Sequence, residues 1–346
     1  MRYSKVYLDS MGYELGPVVV TSEELEERLA PLYKKLNIPK GQIVEWTGIR
    51  ERRWWEPGYP LSRGAAAAAK KALAASNVKP ADIGALIYTS VFKTQFEPAT
   101  ACHIGAEIGI GSDAFICDIN NACLAAVNGM MAIANQIELG QIRAGMVVSC
   151  ETSRHINEIT IKHLLENPRM DEFIYVVTPF TGGSGASAIL LTDGSFSKPG
   201  RRLRGGAVCA DPRYHDICRW EIDPLGDGKY QEMTKTDALA VLKHGEKLGG
   251  KTWRKFQDIL GWTAEDIDKT VCHQVARKNQ EVMLKTMGIP PEKDFITYPF
   301  LGNIGSVSLP ITAAIADERG FLQPGEKVVF GGIGSGLNCI ILGWEW

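Results

Sequence analysis

Short apolar runs alternate with helix-forming stretches through most of the chain. Residues 62–76 (SRGAAAAAKKALAAS) are rich in the strongest helix former and predict a helix packed flat on a sheet. Residues 85–90 (ALIYTS), 114–119 (AFICDI), 144–150 (AGMVVSC) and 187–191 (SAILL) are apolar runs of strand length. Residues 124–139 read as a helix between the second and third of these runs. Continuous apolar strands separated by helices predict an α/β protein whose sheets are covered on both faces. Residues 192–204 (TDGSFSKPGRRLR) break the pattern with two glycines, a proline and four basic residues, which makes them the best boundary between two halves. Beyond them, helices are expected around residues 238–248 and 278–287. A short strand ends at Val271-Cys272-His273, and strands over 328–332 and 338–342 close the chain. No repeat is visible in the residues themselves, so any likeness of the halves rests on element order.

Length and composition bound this picture. The chain has 346 residues, 45% hydrophobic and 23% charged, the balance of a folded protein that buries its own core. A net charge of −2 gives no general attraction to nucleic acid or anionic membrane. No apolar run approaches the roughly 18–20 residues of a membrane-spanning helix. Met1-Arg2-Tyr3-Ser4-Lys5-Val6 lacks the apolar stretch of an export signal, so a cytoplasmic location is expected. Eight cysteines (102, 117, 123, 150, 209, 218, 272 and 339) form no CxxC pair, and neither a metal site nor disulfides are expected.

One of these cysteines stands apart. Cys123 follows a predicted strand in Asp118-Ile119-Asn120-Asn121-Ala122-Cys123 and opens a helix. Free N–H groups and partial positive charge at a helix start lower a thiol's pKa and hold an oxyanion beside it. Position alone favours the plainer reading, a buried and inert cysteine at a strand–helix junction, because most buried cysteines are inert. The other seven cysteines have no comparable placement and are expected to pack as small hydrophobes. Of six histidines, only His273 ends a predicted strand, which puts it at the exposed end of a sheet. Asn303 lies in Gly302-Asn303-Ile304-Gly305-Ser306, as a turn residue or a donor. Residues 331–338 (GGIGSGLN) are a glycine cluster between strands, either a tight turn or a close approach to a reacting group.

Taken in order, these segments resemble the ketoacyl-acyl-carrier-protein synthase III branch of the thiolase superfamily. Thr47-Gly48-Ile49-Arg50-Glu51-Arg52 is similar to its early signature and Asn121-Ala122-Cys123 to its nucleophile segment. Gly182-Gly183-Ser184-Gly185-Ala186, His273-Gln274, Gly302-Asn303 and Gly334-Ser335-Gly336 follow in the family's order. The resemblance implies a thiolase fold, with two similar α/β halves (residues 1–195 carrying the nucleophile, 196–346 carrying His and Asn) in a five-layered αβαβα arrangement, assembled as a homodimer. It implies that Cys123 takes an acyl group from a thioester, with the backbone N–H groups of Cys123 and Ser335 holding the oxyanion. His273 and Asn303 would stabilise the enolate of the second substrate. CoA thioesters enter as substrates, and no permanently bound cofactor is implied.

Within that branch, Glu97 in Phe96-Glu97-Pro98-Ala99 stands where the fatty-acid-initiating synthases tend to carry an apolar residue. It resembles the head-to-head acyl-CoA condensing thiolases of bacterial long-chain olefin biosynthesis. In those enzymes this glutamate reaches the partner subunit's active site as the base. An unactivated acyl-CoA must lose an α-proton, whereas a malonyl thioester makes its carbanion by losing CO2. His273-Gln274-Val275-Ala276-Arg277 lacks the second asparagine of the HQAN motif, and the ending Gly332–Cys339 is also closer to the olefin-type enzymes. Trp46 and Gln42 replace the arginine and tryptophan that grip the CoA nucleotide in the initiating synthases. The residues between Glu151 and Phe180 are expected to shape the acyl tunnel or dimer interface. The expected reaction is non-decarboxylative Claisen condensation of two acyl-CoAs. The alternative is decarboxylative condensation with malonyl-carrier protein in fatty-acid or polyketide-type synthesis.

Overall fold

The computed structural model describes residues 1–196, 200–226 and 229–346. Nine strands form one hydrogen-bonded sheet in two runs. The first run is ordered Tyr7–Leu15, Gly185–Thr192, Ala144–Glu151, Ala85–Thr89, Phe115–Ile119. The second is Arg202–Ala210, Asn338–Glu345, Lys327–Gly334, Lys269–Cys272. Along each run the first two pairings are antiparallel and the third parallel. The two halves therefore share a topology that no residue-level repeat betrays. The two runs join edge to edge where Tyr7 pairs with Arg202.

Alternation along the strands separates the layers. Ala85, Ile87, Val147, Ile189 and Leu191 from the first run face the same core as Val328, Phe330, Ile340 and Leu342 from the second. Between them lie Val127, Met130 and Ile133 of the Ala125–Glu138 helix and Leu309, Ala313 and Ala316 of the Ser308–Glu318 helix. The intervening residues Leu86, Tyr88, Met146, Val148 and Leu190 point the other way, onto the Leu61–Ala74 and Thr100–Ile108 helices. Val329, Cys339 and Ile341 likewise meet the Ala238–Leu260 and Arg277–Met287 helices. A strand period of two thus places one helical layer between the two sheet runs and one outside each. This is the five-layered αβαβα stack.

The alanines of the Leu61–Ala74 helix have a packing reason. Ala65, Ala66, Ala68, Ala69 and Ala72 are fully buried, and a side chain at Gly12 would begin 2.2 Å from the Ala68 carbonyl oxygen. Only small residues on both surfaces permit that approach. The expected strands and helices are present, most within two residues of their expected ends, although the helix expected around 238–248 continues to Leu260. The expected boundary at 192–204 includes residues 197–199, which lie outside the described residues. Among the described residues, no helix is long and apolar enough to cross a membrane, and no group of three or more metal-ligating side chains occurs.

Candidate active site

Cys123 sits in a tight turn. The Phe115–Ile119 strand ends, a single 3-10 turn spans Ala122–Leu124, and the Ala125–Glu138 helix follows at once. Ala122 adopts φ +47°, a conformation that costs a non-glycine residue about 1–3 kcal/mol. Hydrogen bonds hold it there. Asn120 Oδ1 accepts from the Ala122 N–H at 2.9 Å, and the Leu124 N–H donates to the Asn121 carbonyl at 3.0 Å. Asn121 uses both ends of its amide, donating to Asn128 Oδ1 at 2.5 Å and accepting from Asn338 Nδ2 at 2.9 Å.

His273 is buried at the end of the Lys269–Cys272 strand, its N–H bonded to the Gly331 carbonyl at 2.8 Å. Both imidazole nitrogens lack a hydrogen-bond partner among the described residues. Asn303 is pinned through its backbone, which exchanges hydrogen bonds with Thr181 (2.8 Å) and Gly183 (2.9 Å) of the first half. Its Oδ1 accepts from the Gly305 N–H at 3.0 Å, so the amide NH2 is the end available to a ligand. The glycine cluster before the last strand has a steric origin. A side chain at Gly332 would begin 2.8 Å from Leu124 Cδ2 and 3.0 Å from His273 Cβ, so the approach of this strand to the Cys123 turn requires glycine.

These segments converge on one cavity of about 300 Å³ lined by Cys123, His273, Asn303 and Ser335. Its far walls are apolar, with Val241, Leu242, Val282, Met283 and Ile333, and Trp46 lines it as well. Trp46 is 46% exposed and packs 6.0 Å from the Phe173 ring. A second cavity of about 150 Å³ shares Cys123, Asn303 and Ser335 and adds Glu151, Ile156, Pro179 and Trp220. The two spaces meet at the thiol. Thr178 and Thr181 line both, so the segment after Glu151 does shape this space.

Electrostatics depart from expectation at the nucleophile. Cys123 is partly accessible only because it lines the cavity, and burial pushes its thiol up to about 12. The helix start does not offset that desolvation, so the resting group is a thiol and not a thiolate. Burial also drives His273 down to about 4, which keeps the imidazole neutral near pH 7, with one N–H to donate and one lone pair to accept.

Glu97 does not join the others. It is exposed, with Phe96 beside it 97% exposed, on the segment between the Ala85–Thr89 strand and the Thr100–Ile108 helix. Two further residues were not legible as site residues. Cys218, expected only to pack, lines both cavities and accepts a hydrogen bond from Ser335 Oγ at 3.1 Å. It begins a polar hairpin, Cys218–Gly226 with Lys229–Thr236, whose composition carries no strand signal. Glu151 is 4% exposed at the end of the Ala144–Glu151 strand, where burial raises its carboxyl to about 7.

A buried thiol at a strand–helix turn, a neutral imidazole with unpartnered nitrogens and an asparagine amide around one apolar cavity define a condensing acyltransferase on the thiolase fold. The family described as thiolase, N-terminal domain, matches residues 61–173, and that of the 3-oxoacyl-[acyl-carrier-protein] synthase III C terminus matches 258–346. The chain is 50% identical to an acyl-CoA:acyl-CoA alkyltransferase of Shewanella oneidensis over all of both chains. It is 33% identical to the Xanthomonas campestris protein of the same description, again over all of both. The Xanthomonas OleA crystal structure with bound lauric acid and lauroyl-CoA superposes with a TM-score of 0.93, at 32% identity, over 99% of this chain and all of that one. The chain belongs to the acyl-CoA:acyl-CoA alkyltransferase family, the OleA-type branch of the thiolase superfamily.

Proposed function

We propose that the protein joins two acyl-CoA molecules head to head into a 2-alkyl-3-oxoacyl product, through an acyl-enzyme on Cys123. The observation that carries this reading is the pair of unpartnered nitrogens on a neutral, buried His273 in the cavity that holds Cys123. A polar group buried without a partner is costly, and a substrate oxygen is its natural partner. Lauroyl-CoA bound to the Xanthomonas relative supports acyl-CoA as the substrate class.

In the first half-reaction the Cys123 sulfur adds to the thioester carbonyl and the CoA sulfur leaves, taking the thiol proton. The N–H groups of Cys123 and Ser335 hold the oxyanion. In the second, an α-proton of another acyl-CoA passes to the Glu97 carboxylate of the partner subunit, and His273 N–H and Asn303 NH2 hold the enolate oxygen. The enolate carbon bonds to the acyl carbon, the C–S bond breaks, and the sulfur recovers a proton from the Glu97 carboxyl. A neutral imidazole suits this role, because it donates to a growing negative charge without first surrendering its proton.

The homodimer that this chemistry requires is supported by the sheet itself. The Phe115–Ile119 strand lies at the end of the sheet, its outer edge unpaired among the described residues, and Phe115 is 55% exposed. An unpaired edge with an apolar side chain is suited to pairing with a second copy. Olefin biosynthesis is the pathway class that such a product fits.

Incubation with myristoyl-CoA alone tests the reaction. The expected outcome is a myristoyl group on Cys123 by mass spectrometry and a 2-alkyl-3-oxo product. A strict requirement for a malonyl donor would overturn the proposal.

A further inference from the structure

Two carboxylates in the cavity walls are unused by the reaction above, and of these Glu246 is exposed whereas Glu151 is buried. Its Oε1 accepts from the Val91 N–H at 2.7 Å, from Ser306 Oγ at 2.6 Å and from the Ser306 N–H at 3.3 Å. Its Oε2 accepts from the Phe92 N–H at 3.3 Å. All four donors are neutral, and no ion pair forms with it among the described residues. Burying a carboxyl with neutral donors alone is costly, so what these donors belong to matters.

They belong to two segments. Val91 and Phe92 begin the stretch that carries Glu97. Asp118 closes its other end, accepting from Lys93 Nζ, the Thr100 N–H and the Ala101 N–H, each at 3.0 Å. The tip with Phe96 and Glu97 is thereby held out from the body at two anchors, one of which is Glu151. Ser306 lies three residues after Asn303, in the turn that presents the Asn303 amide. Both segments end on the same carboxyl oxygen.

We infer that Glu151 is a positioning residue that fixes the Glu97-bearing segment and the Asn303 turn relative to each other. This rests on the reading of Glu97 and Asn303 given above. Because the Asn303 of a chain serves its own cavity while its Glu97 serves the partner's, the carboxyl ties the enolate-stabilising group of one site to the base of the other. Acylation of Cys123 uses neither group, so the two half-reactions respond differently to the loss of Glu151.

Glu151→Ala is compared with wild type in two assays, single-turnover acylation of Cys123 by myristoyl-CoA and steady-state condensation. Loss of two hydrogen bonds of ordinary strength corresponds to roughly a 30-fold fall in condensation, expressed in kcat with KM little changed, while acylation stays within about threefold. Glu151→Gln keeps an acceptor oxygen for Val91 and Ser306 and is expected to recover most of the lost turnover. Should Glu151→Ala fail to fold, Ser306→Ala removes one arm of the clamp and leaves the carboxyl in place. It is expected to lower condensation several-fold with acylation intact. Equal loss of acylation and condensation, or condensation unchanged in the variants that fold, would overturn the inference. Glu97→Ala and Asn303→Ala run alongside. If either of these keeps condensing, the roles assigned to them are wrong. If both stop while the Glu151 and Ser306 variants continue, only the positioning role fails.

Discussion

Asn338 Nδ2 donates to Asn121 Oδ1 at 2.9 Å, joining the start of the last strand to the turn that carries Cys123. The same Nδ2 donates to the Ser335 carbonyl at 3.2 Å. One amide therefore spans the two backbone segments whose N–H groups form the proposed oxyanion site, and those segments come from opposite halves of the chain. Asn338→Ala leaves Asn121 Oδ1 without this donor and frees the Ser335 turn. A lost hydrogen bond of about 1–2 kcal/mol predicts roughly a tenfold slower acylation of Cys123. Rapid-quench mass spectrometry of the acyl-enzyme measures it, and an unchanged rate would remove Asn338 from the site's framework.

The exposed position of Glu97 makes a second prediction. On the proposed roles, Cys123→Ala carries an intact Glu97 but no nucleophile, and Glu97→Ala carries the nucleophile but no base. Each alone is expected to condense nothing. Mixed under conditions that exchange subunits, random pairing makes half of the dimers mixed, each with one complete site, so activity should return to about a quarter of wild type per site. Activity that stays at zero after exchange has been demonstrated by native mass spectrometry would place Glu97 outside the partner's site.

Much of this arrangement was readable from residue order, and the unread parts have identifiable causes. The run 114–119 leading into a helix located Cys123 because its apolar strand and the helix after it have different periods. The Tyr7–Leu15 strand, by contrast, lies inside the sheet yet buries Ser10 and presents Gly12 to a helix, so no apolar run marks it. The Arg202–Ala210 strand falls partly within the Arg- and Gly-rich stretch that reads as a boundary. At the thiol, a helix start argued for a low pKa. The depth of the cavity, a tertiary property, argued the other way and prevailed. Glu151 carries no local signal at all, since its donors come from residues about 60 and 155 positions away.

Burial of that carboxyl, which its donors only partly offset, also sets a pH dependence of stability. Burial raises Glu151 from 4.5 to about 7, so between these values the folded chain holds a proton that the unfolded chain has released. Its contribution to stability is complete below pH 4.5 and is lost as pH rises through 7, on the order of 3 kcal/mol in all. His273 runs the other way. Lowered from 6.5 to about 4, it leaves the unfolded chain binding the extra proton in that window, so its contribution is lost as pH falls. The two partly cancel in the wild-type curve. Glu151→Gln removes only the first, so the variant should gain on wild type steadily from pH 5 to pH 7.5. Urea unfolding of both proteins at those two pH values measures the gap. If the gap is the same at both, the Glu151 carboxyl does not titrate in this range in the folded protein.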